Sequence, residues 1–232
     1  MSPTLPTPPE PARRLSIVLA VTLTVGSGAM DAIGFARLGD VFTSVMTGNL
    51  VLLGISAGNG NGALAFRIGI AFAAFTVGVM TSGRICKRHV GETNIWPRGV
   101  THCLAVQLVV LAAFVALWQV EDARPEGGPQ DVLLVLAALA MGLQSGAVVS
   151  IGIQGLSTTY VTGTLTGVLT TVANSRKLKF DSAAILVGLV VGACAAGLLL
   201  VHAPRFAPVL PLVVLITVLA IAWRTPVFKH HH

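Results

Sequence analysis

Six apolar segments, each about twenty residues long, divide this chain and restrict the folds open to it. A hydrocarbon core of ~30 Å takes about 20 helical residues to cross. Only 10% of the residues are charged and the mean hydropathy is +0.83, whereas a soluble domain carries about a quarter of charged residues. The sequence therefore predicts an all-α polytopic membrane protein. The predicted spans are residues 15–36, 63–83, 99–120, 131–153, 181–201 and 206–223.

A short polar phrase occurs twice inside apolar sequence. Thr-Gly-Asn-Leu at 47–50 returns as Thr-Gly-Thr-Leu at 162–165, 115 residues later and nearly half a chain away. Such spacing predicts two structural repeats, each with about three transmembrane helices and one short or re-entrant helix carrying the phrase. The predicted division is a disordered tail (1–14), a first membrane repeat (15–120), an acidic connecting loop (121–130), a second repeat (131–224) and a C-terminal tail with a tag remnant (225–232).

The two short segments that carry the phrase, 41–57 and 157–173, either cross the membrane or turn back within it. If both cross, Lys and Arg divide as nine on one side against six on the other. If both are re-entrant, the division is eleven against four, which agrees better with the positive-inside bias. An odd number of crossings per half favours an inverted repeat, with an eight-span parallel repeat as the alternative. The more positive side carries both termini, which are therefore expected to be cytoplasmic.

The polar residues of the repeated phrase are the expected substrate-binding residues. Glycine lets a helix break or a backbone approach, while Thr and Asn offer hydrogen-bonding groups to a ligand or to freed backbone groups. The alternative is that they only pack and bond helices together. The predicted substrate-binding set is Thr47, Gly48, Asn49, Gln144, Tyr160, Thr162, Gly163 and Thr164.

Asp31 is the only acidic residue in the interior of a predicted span, since Asp131 and Asp181 stand at the first position of theirs. A carboxylate in lipid costs at least ~2.5 kcal/mol on insertion scales, so such residues generally face a cavity or a partner. We expect Asp31 to carry a proton or bind a coupling cation. The alternative is an ion pair with Arg37 or Arg67, or an interfacial carboxylate that reaches water.

Other function classes find little support in the sequence. No catalytic motif and no carboxylate pair within a span is present, so no enzyme, catalytic residue or cofactor is expected. The three cysteines show neither metal-ligand nor disulfide-framework spacing, and no metal site is predicted. The net charge of +6 falls in short clusters between spans, which indicates contact with anionic lipid and no nucleic-acid partner.

Several motifs together resemble the YoaK-like family of bacterial membrane proteins, long labelled a domain of unknown function. They are Asp31-Ala32, the stretch 41–49, Met-Gly-Leu-Gln-Ser at 141–145 and the stretch 157–165, and the resemblance covers about 15–223. Many relatives carry an Arg shortly after the Gln-containing motif, whereas this chain has the uncharged residues 148–150 there. The family implies an integral protein of the bacterial inner (plasma) membrane, with about six spans and no established substrate.

These observations predict a small-solute transporter that works by alternating access, with its site between the two repeats. A small organic anion or an ion-coupled polar solute is the expected substrate class. The alternatives are an uncoupled pore or facilitator, and a structural or regulatory membrane protein without a solute. Besides the lipid bilayer, a second copy of the chain is an expected partner, through the small-residue face of Gly188 and Gly192.

Overall fold

A computed structural model describes residues 10–87, 96–151, 163, 165, 166, 170 and 180–224. These residues form seven α-helices and one short 3-10 turn. The helices are α1 (Glu10–Arg37), α2 (Met46–Gly58), α3 (Gly62–Lys87), α4 (Arg98–Val120), α5 (Gly128–Val149), α6 (Phe180–His202) and α7 (Val209–Arg224), with the turn at Pro204–Phe206.

Six of the described helices, all except α2, are long and apolar enough to cross a membrane; the sixth candidate span includes the turn before α7. The prediction of an all-α membrane protein with six spans is thereby confirmed. α2 has 13 residues, about 20 Å of helix, and is shorter than the hydrocarbon core. Its predicted partner at 157–173 lies almost entirely outside the described residues.

Two predicted boundaries differ from the structure. α1 begins at Glu10, so the last five residues of the predicted tail are helical. An acidic residue followed by Pro11 suits the first helical turn, where the proline nitrogen needs no partner. α2 begins at Met46 and not at Val41, because residues 42–44 take a non-helical path whose backbone bonds to side chains of α1 and α2.

α1 and α5 form the centre of the helix bundle. In an apolar 18-residue stretch of each span, 72% of α1 and 67% of α5 is buried inside the protein, against 17% to 39% for the other four spans. α1 packs mainly against α6 and α7, α5 packs mainly against α3 and α4, and the two also contact each other. The centre of the bundle is therefore the surface along which α1 and α5 meet.

Glycines allow the closest of these helix pairs to form. A methyl group at Gly142 of α5 would overlap the carbonyl oxygen of Phe75 in α3, and one at Gly78 would lie 2.5 Å from that of Leu139. In the α1–α6 pair, a methyl group at Gly28 would overlap the Leu189 oxygen. Gly142 therefore lets the backbone of α5 approach that of α3.

The face of α6 predicted to form a homodimer is occupied within the chain. Methyl groups at Gly188 and Gly192 would meet the carbonyl oxygens of Val21 and Val25 in α1. This face packs inside the bundle because its small residues admit the α1 backbone. The homodimer stays a prediction, and the glycine face no longer supplies its surface.

Hydrogen bonds join four helix termini at one end of the bundle. The Arg67 guanidinium, in the second turn of α3, donates to Gln130 Oε1 (2.7 Å) and Asp131 Oδ1 (3.2 Å) at the start of α5. Gln130 in turn donates to the carbonyl oxygen of Arg37, the last residue of α1 (2.9 Å). The Arg37 guanidinium donates to the carbonyl oxygen of Leu200, near the end of α6 (3.3 Å).

The end of α4 lies at the same end of the bundle. The Trp118 indole donates to the carbonyl oxygen of Pro204 (3.0 Å), between α6 and α7. α1, α4 and α6 therefore finish where α3, α5 and α7 begin, so the six long helices alternate in direction.

Candidate functional site

The Asp31 carboxylate holds the chain that leads into α2. Its Oδ1 accepts hydrogen bonds from the backbone N–H groups of Thr43 (2.8 Å) and Ser44 (2.7 Å) and from the Thr43 hydroxyl (3.1 Å). Its Oδ2 accepts from the Ser44 hydroxyl (2.5 Å), and the residue is only 6% exposed. Four donors from two consecutive residues satisfy the charge, so Asp31 joins α1 to the loop before α2.

Neither arginine considered for Asp31 is its partner. Arg67 pairs with Asp131, and Arg37 bonds to a backbone carbonyl of α6, while the hydrogen bonds of Asp31 within the described residues go to Thr43 and Ser44. The alternative of an ion pair is wrong, because both arginines are already held at the end of the bundle. The proton or cation role of Asp31 stays a prediction.

Asn49 closes the same loop from the α2 side. Its amide nitrogen donates to the carbonyl oxygen of Phe42 (2.7 Å), and its amide oxygen accepts from the Phe42 N–H (2.9 Å). The Asn49 side chain is completely buried, and Phe42 is half-buried. Asn49 therefore satisfies both polar backbone groups of Phe42, a residue that belongs to no helix. Bonding to such freed backbone groups is the use that the sequence analysis gives for Asn besides ligand binding.

The other two residues of the first phrase differ in exposure. Thr47 is exposed on α2, and Gly48 is half-buried. A methyl group at Gly48 would lie 3.4 Å from the Phe42 ring and from Val45 Cγ1. Glycine at this position thus lets the loop residues lie against α2, and of the phrase only Thr47 projects a polar side chain outward.

A buried amide cluster lies where α1, α4 and α5 meet; it consists of Ser27, Gln107 and Gln144. The Gln107 amide donates to Gln144 Oε1 (2.9 Å), and the Gln144 amide donates to Ser27 Oγ (2.8 Å) and to the carbonyl oxygen of Leu23 (3.3 Å). All three side chains are at least 97% buried. Polar groups from three different spans thus converge inside an apolar bundle.

One atom of the amide cluster, the completely buried Gln107 Oε1, has no hydrogen-bond partner among the residues that the structure describes. A buried carbonyl oxygen without a donor costs about 1–3 kcal/mol, so such an atom calls for an explanation. The sequence set includes Gln144 but omits Gln107. The signal that identifies Gln107 is an amide near the middle of a span, in the apolar sequence 103–118, where lipid-facing helices rarely carry glutamine.

The remaining predicted site residues belong to the second phrase. Tyr160, Thr162 and Thr164 lie outside the described residues, and Gly163 is described as a half-buried helical residue. The predicted meeting of the two phrases therefore stays a prediction. So does the absence of a metal, although no three His, Cys, Asp or Glu side chains cluster within the described part of the chain.

Two cavities open at the end of the bundle where α1 finishes. One, of about 430 Å³, is lined by Arg37, Arg67 and Arg124 together with Asp40 and Glu126. The other, of about 730 Å³, lies beside the α6–α7 connection and Asp122. Neither cavity includes Asn49 or the amide cluster, so both belong to the bundle surface and not to its centre.

Comparison with known proteins places the chain among bacterial membrane proteins. Residues 19–222 match a family described as protein of unknown function (DUF1275). The chain is 35% identical over 147 residues to UPF0700 transmembrane protein YoaK of Bacillus subtilis (strain 168), which covers 63% of this chain and 63% of that relative. No solved structure matches. The resemblance to the YoaK-like family is confirmed, and the match spans less than two thirds of the relative.

Proposed function

Since the chain belongs to the DUF1275 family, whose description names no function, we propose that it is a small-solute transporter working by alternating access. The observation that carries this proposal is the unpartnered Gln107 Oε1 inside the amide cluster. Ser27 and Gln107 lie near the middle of their helices, at membrane depth. Hydrogen bonds between helices account for polar side chains in many membrane bundles, but among the described residues they leave this acceptor without a donor, and a solute with a donor group would complete it.

The chemistry of the amide cluster indicates the class of solute. Gln107 Oε1 is an acceptor and would bind an N–H or O–H donor of a ligand. The described partners in the cluster are amides, a hydroxyl and a backbone carbonyl, and none is charged. We therefore favour a neutral polar solute with donor groups. Asp31 lies one helical turn beyond Ser27 on α1, at the border of the cluster, where a coupled proton or cation would act.

Matched helix contacts support the proposed duplication. Four of the glycines that meet carbonyl oxygens of a neighbouring helix are related in pairs by a shift of 114 residues, one less than the 115 that separates the two phrases. The shift relates Gly28 to Gly142, and it also relates Phe75, which contacts Gly142, to Leu189, which contacts Gly28. Gly78 and Gly192 are related to each other in the same way, together with the residues that they contact. In this register α1 corresponds to α5, α3 to α6 and α4 to α7. The packed pair α1–α6 therefore matches the packed pair α5–α3, and α1–α7 matches α5–α4. Because α1 and α5 are then equivalent, the amide cluster would lie between the repeats.

The helix directions support an inverted arrangement. The end of α1 and the start of α3 lie at one end of the bundle, and the 13-residue α2 connects them. The proposed α2 is therefore re-entrant, and each repeat has three crossings, which inverts the second repeat. The connections at this end carry four of the Lys and Arg residues, so the positive-inside bias places the opposite end and both termini in the cytoplasm.

A ligand screen with a matched pair of variants tests the proposal. The detergent-purified protein is heated with neutral polar solutes, organic acids, amines and sodium salts, and the melting temperature is recorded. We expect a donor-bearing neutral solute to raise the melting temperature of the wild type and of Gln119→Leu, and to leave that of Gln107→Leu unchanged. Gln119 lies on the same helix but is exposed, and it bonds to the Arg205 carbonyl. Equal ligand shifts in all three proteins would remove Gln107 from the site.

A second candidate function, a membrane protein without a solute, has one observation in its favour. Asp31 and Asn49, both expected to bind ligands or ions, direct their hydrogen bonds to the chain at Phe42, Thr43 and Ser44. These side chains stabilise α2 in its place without any ligand. A screen in which no solute raises the melting temperature would favour this second function over transport.

A further inference from the structure

Two of the three cysteines lie in contact at the end of the bundle where α3 finishes and α4 begins, opposite the end where α1 finishes. Cys86 is the second-last residue of α3, and Cys103 is in the second turn of α4. Their Sγ atoms are 3.7 Å apart, and neither sulfur is in a disulfide. Seventeen residues separate them in sequence, so α3 and α4 bring them together across the 88–97 connection.

The surroundings of the two thiols differ. Cys103 is completely buried and directs its Sγ toward the carbonyl oxygen of Ser82 in α3 (3.7 Å). Cys86 is half-buried and lies one residue before the polar connection begins. An oxidant from the aqueous phase therefore reaches Cys86 first, and the buried Cys103 lies in contact with it.

We propose that Cys86 and Cys103 form a reversible disulfide that ties the end of α3 to the start of α4. The Sγ–Sγ distance of a disulfide is about 2.05 Å, so the two sulfurs need approach by only about 1.7 Å, which side-chain rotation supplies. This modification is independent of the proposed transport function, because it rests on the two thiols alone.

The oxidant is a peroxide. Hydrogen peroxide oxidises the Cys86 thiol to a sulfenic acid and is reduced to one water. The Cys103 sulfur then attacks the Cys86 sulfur, the S–OH bond breaks, and the hydroxyl leaves as a second water with the Cys103 proton. One peroxide and two thiols thus give one disulfide and two waters. A thiol reductant reverses the reaction by exchange.

Counting free thiols after oxidation tests the proposal. The full chain in native membranes is treated with hydrogen peroxide, denatured and alkylated with N-ethylmaleimide. Its intact mass, measured by mass spectrometry, gives the number of adducts. We expect the wild type to carry a single adduct, on the exposed Cys194, and to have lost two hydrogens. Dithiothreitol before alkylation restores all three adducts. The Cys194→Ala variant is the matched control, and should carry no adduct after peroxide and two after dithiothreitol.

Two further variants assign the roles of the sulfurs. In Cys103→Ser, peroxide should leave Cys86 as a sulfenic acid that dimedone labels, whereas in Cys86→Ser the buried Cys103 should remain alkylatable. If a variant fails to fold, a disulfide-linked peptide pair from the wild-type digest still decides the matter. Three adducts on peroxide-treated wild type, or a dimer on a non-reducing gel, would overturn the proposal.

Discussion

Replacing Asp31 by alanine removes the acceptor for four hydrogen bonds at once. The two hydroxyl donors can rotate toward other acceptors, but the backbone N–H groups of Thr43 and Ser44 are fixed and both residues are buried. An unsatisfied buried donor costs about 1–3 kcal/mol, so two of them cost about 2–6 kcal/mol. We therefore expect Asp31→Ala to lower the free energy of unfolding by that amount and to release the start of α2.

The Asp31→Asn variant is the matched control for this prediction. Its amide oxygen can still accept from Thr43 and Ser44, so only the bond from the Ser44 hydroxyl and the strength added by the charge are lost. We expect a cost of about 1–2 kcal/mol, well below that of alanine. Titration with sodium dodecyl sulfate, followed by circular dichroism, gives the free energy of unfolding of each variant.

The comparison also separates the two roles of Asp31. If the carboxylate is structural, alanine destabilises far more than asparagine does. If the free energy of unfolding of Asp31→Ala lies within about 0.5 kcal/mol of the wild-type value, which is the usual range for surface substitutions, the hydrogen-bond reasoning is refuted. If Asp31 also carries the coupling ion, asparagine should keep the fold and lose ion-driven flux, which a transport assay on the same preparation measures.

Three further stability predictions use the same detergent titration. Gly142→Ala should cost about 1–3 kcal/mol, because its methyl group overlaps a carbonyl oxygen of α3, whereas Gly83→Ala, with open space around it, should be neutral or up to about 1 kcal/mol stabilising. Gln144→Leu should cost about 1–3 kcal/mol, since the Gln107 amide loses its acceptor; an unchanged midpoint would contradict this. Asp122→Asn should change stability by less than about 0.5 kcal/mol, because the ion pair of Asp122 is solvent-exposed and asparagine keeps the left-handed backbone at this position (φ 51°).

The spans could be predicted from the sequence because hydrophobic length alone defines them. Each of the six begins or ends within a few residues of its prediction, as for α4, predicted at 99–120 and observed at Arg98–Val120. The start of α2 could not be predicted in the same way. Residues 41–45 are as apolar as the helix that follows, and only their hydrogen bonds to Asp31 and Asn49 keep them out of it.

The candidate site was accessible from the sequence only in part. Asp31 and the hydroxyl residues Thr43 and Ser44 are each visible as polar groups in apolar surroundings, but their contact depends on how the loop returns to α1. Gln144 was predicted to bind, whereas its partner Gln107 was not, because nothing in sequence spacing joins α4 to α5. Contacts between helices come from packing, which a linear pattern does not contain.

The most direct test of the transport proposal is solute flux through the purified protein in liposomes. Vesicles loaded with the donor-bearing solute selected by the thermal screen are tested for uptake of its labelled form. We predict saturable uptake that unlabelled solute inside accelerates, that Gln119→Leu retains and that Gln107→Leu loses. Uptake that rises linearly with concentration and ignores solute inside would indicate a pore. No uptake above protein-free vesicles would contradict the account.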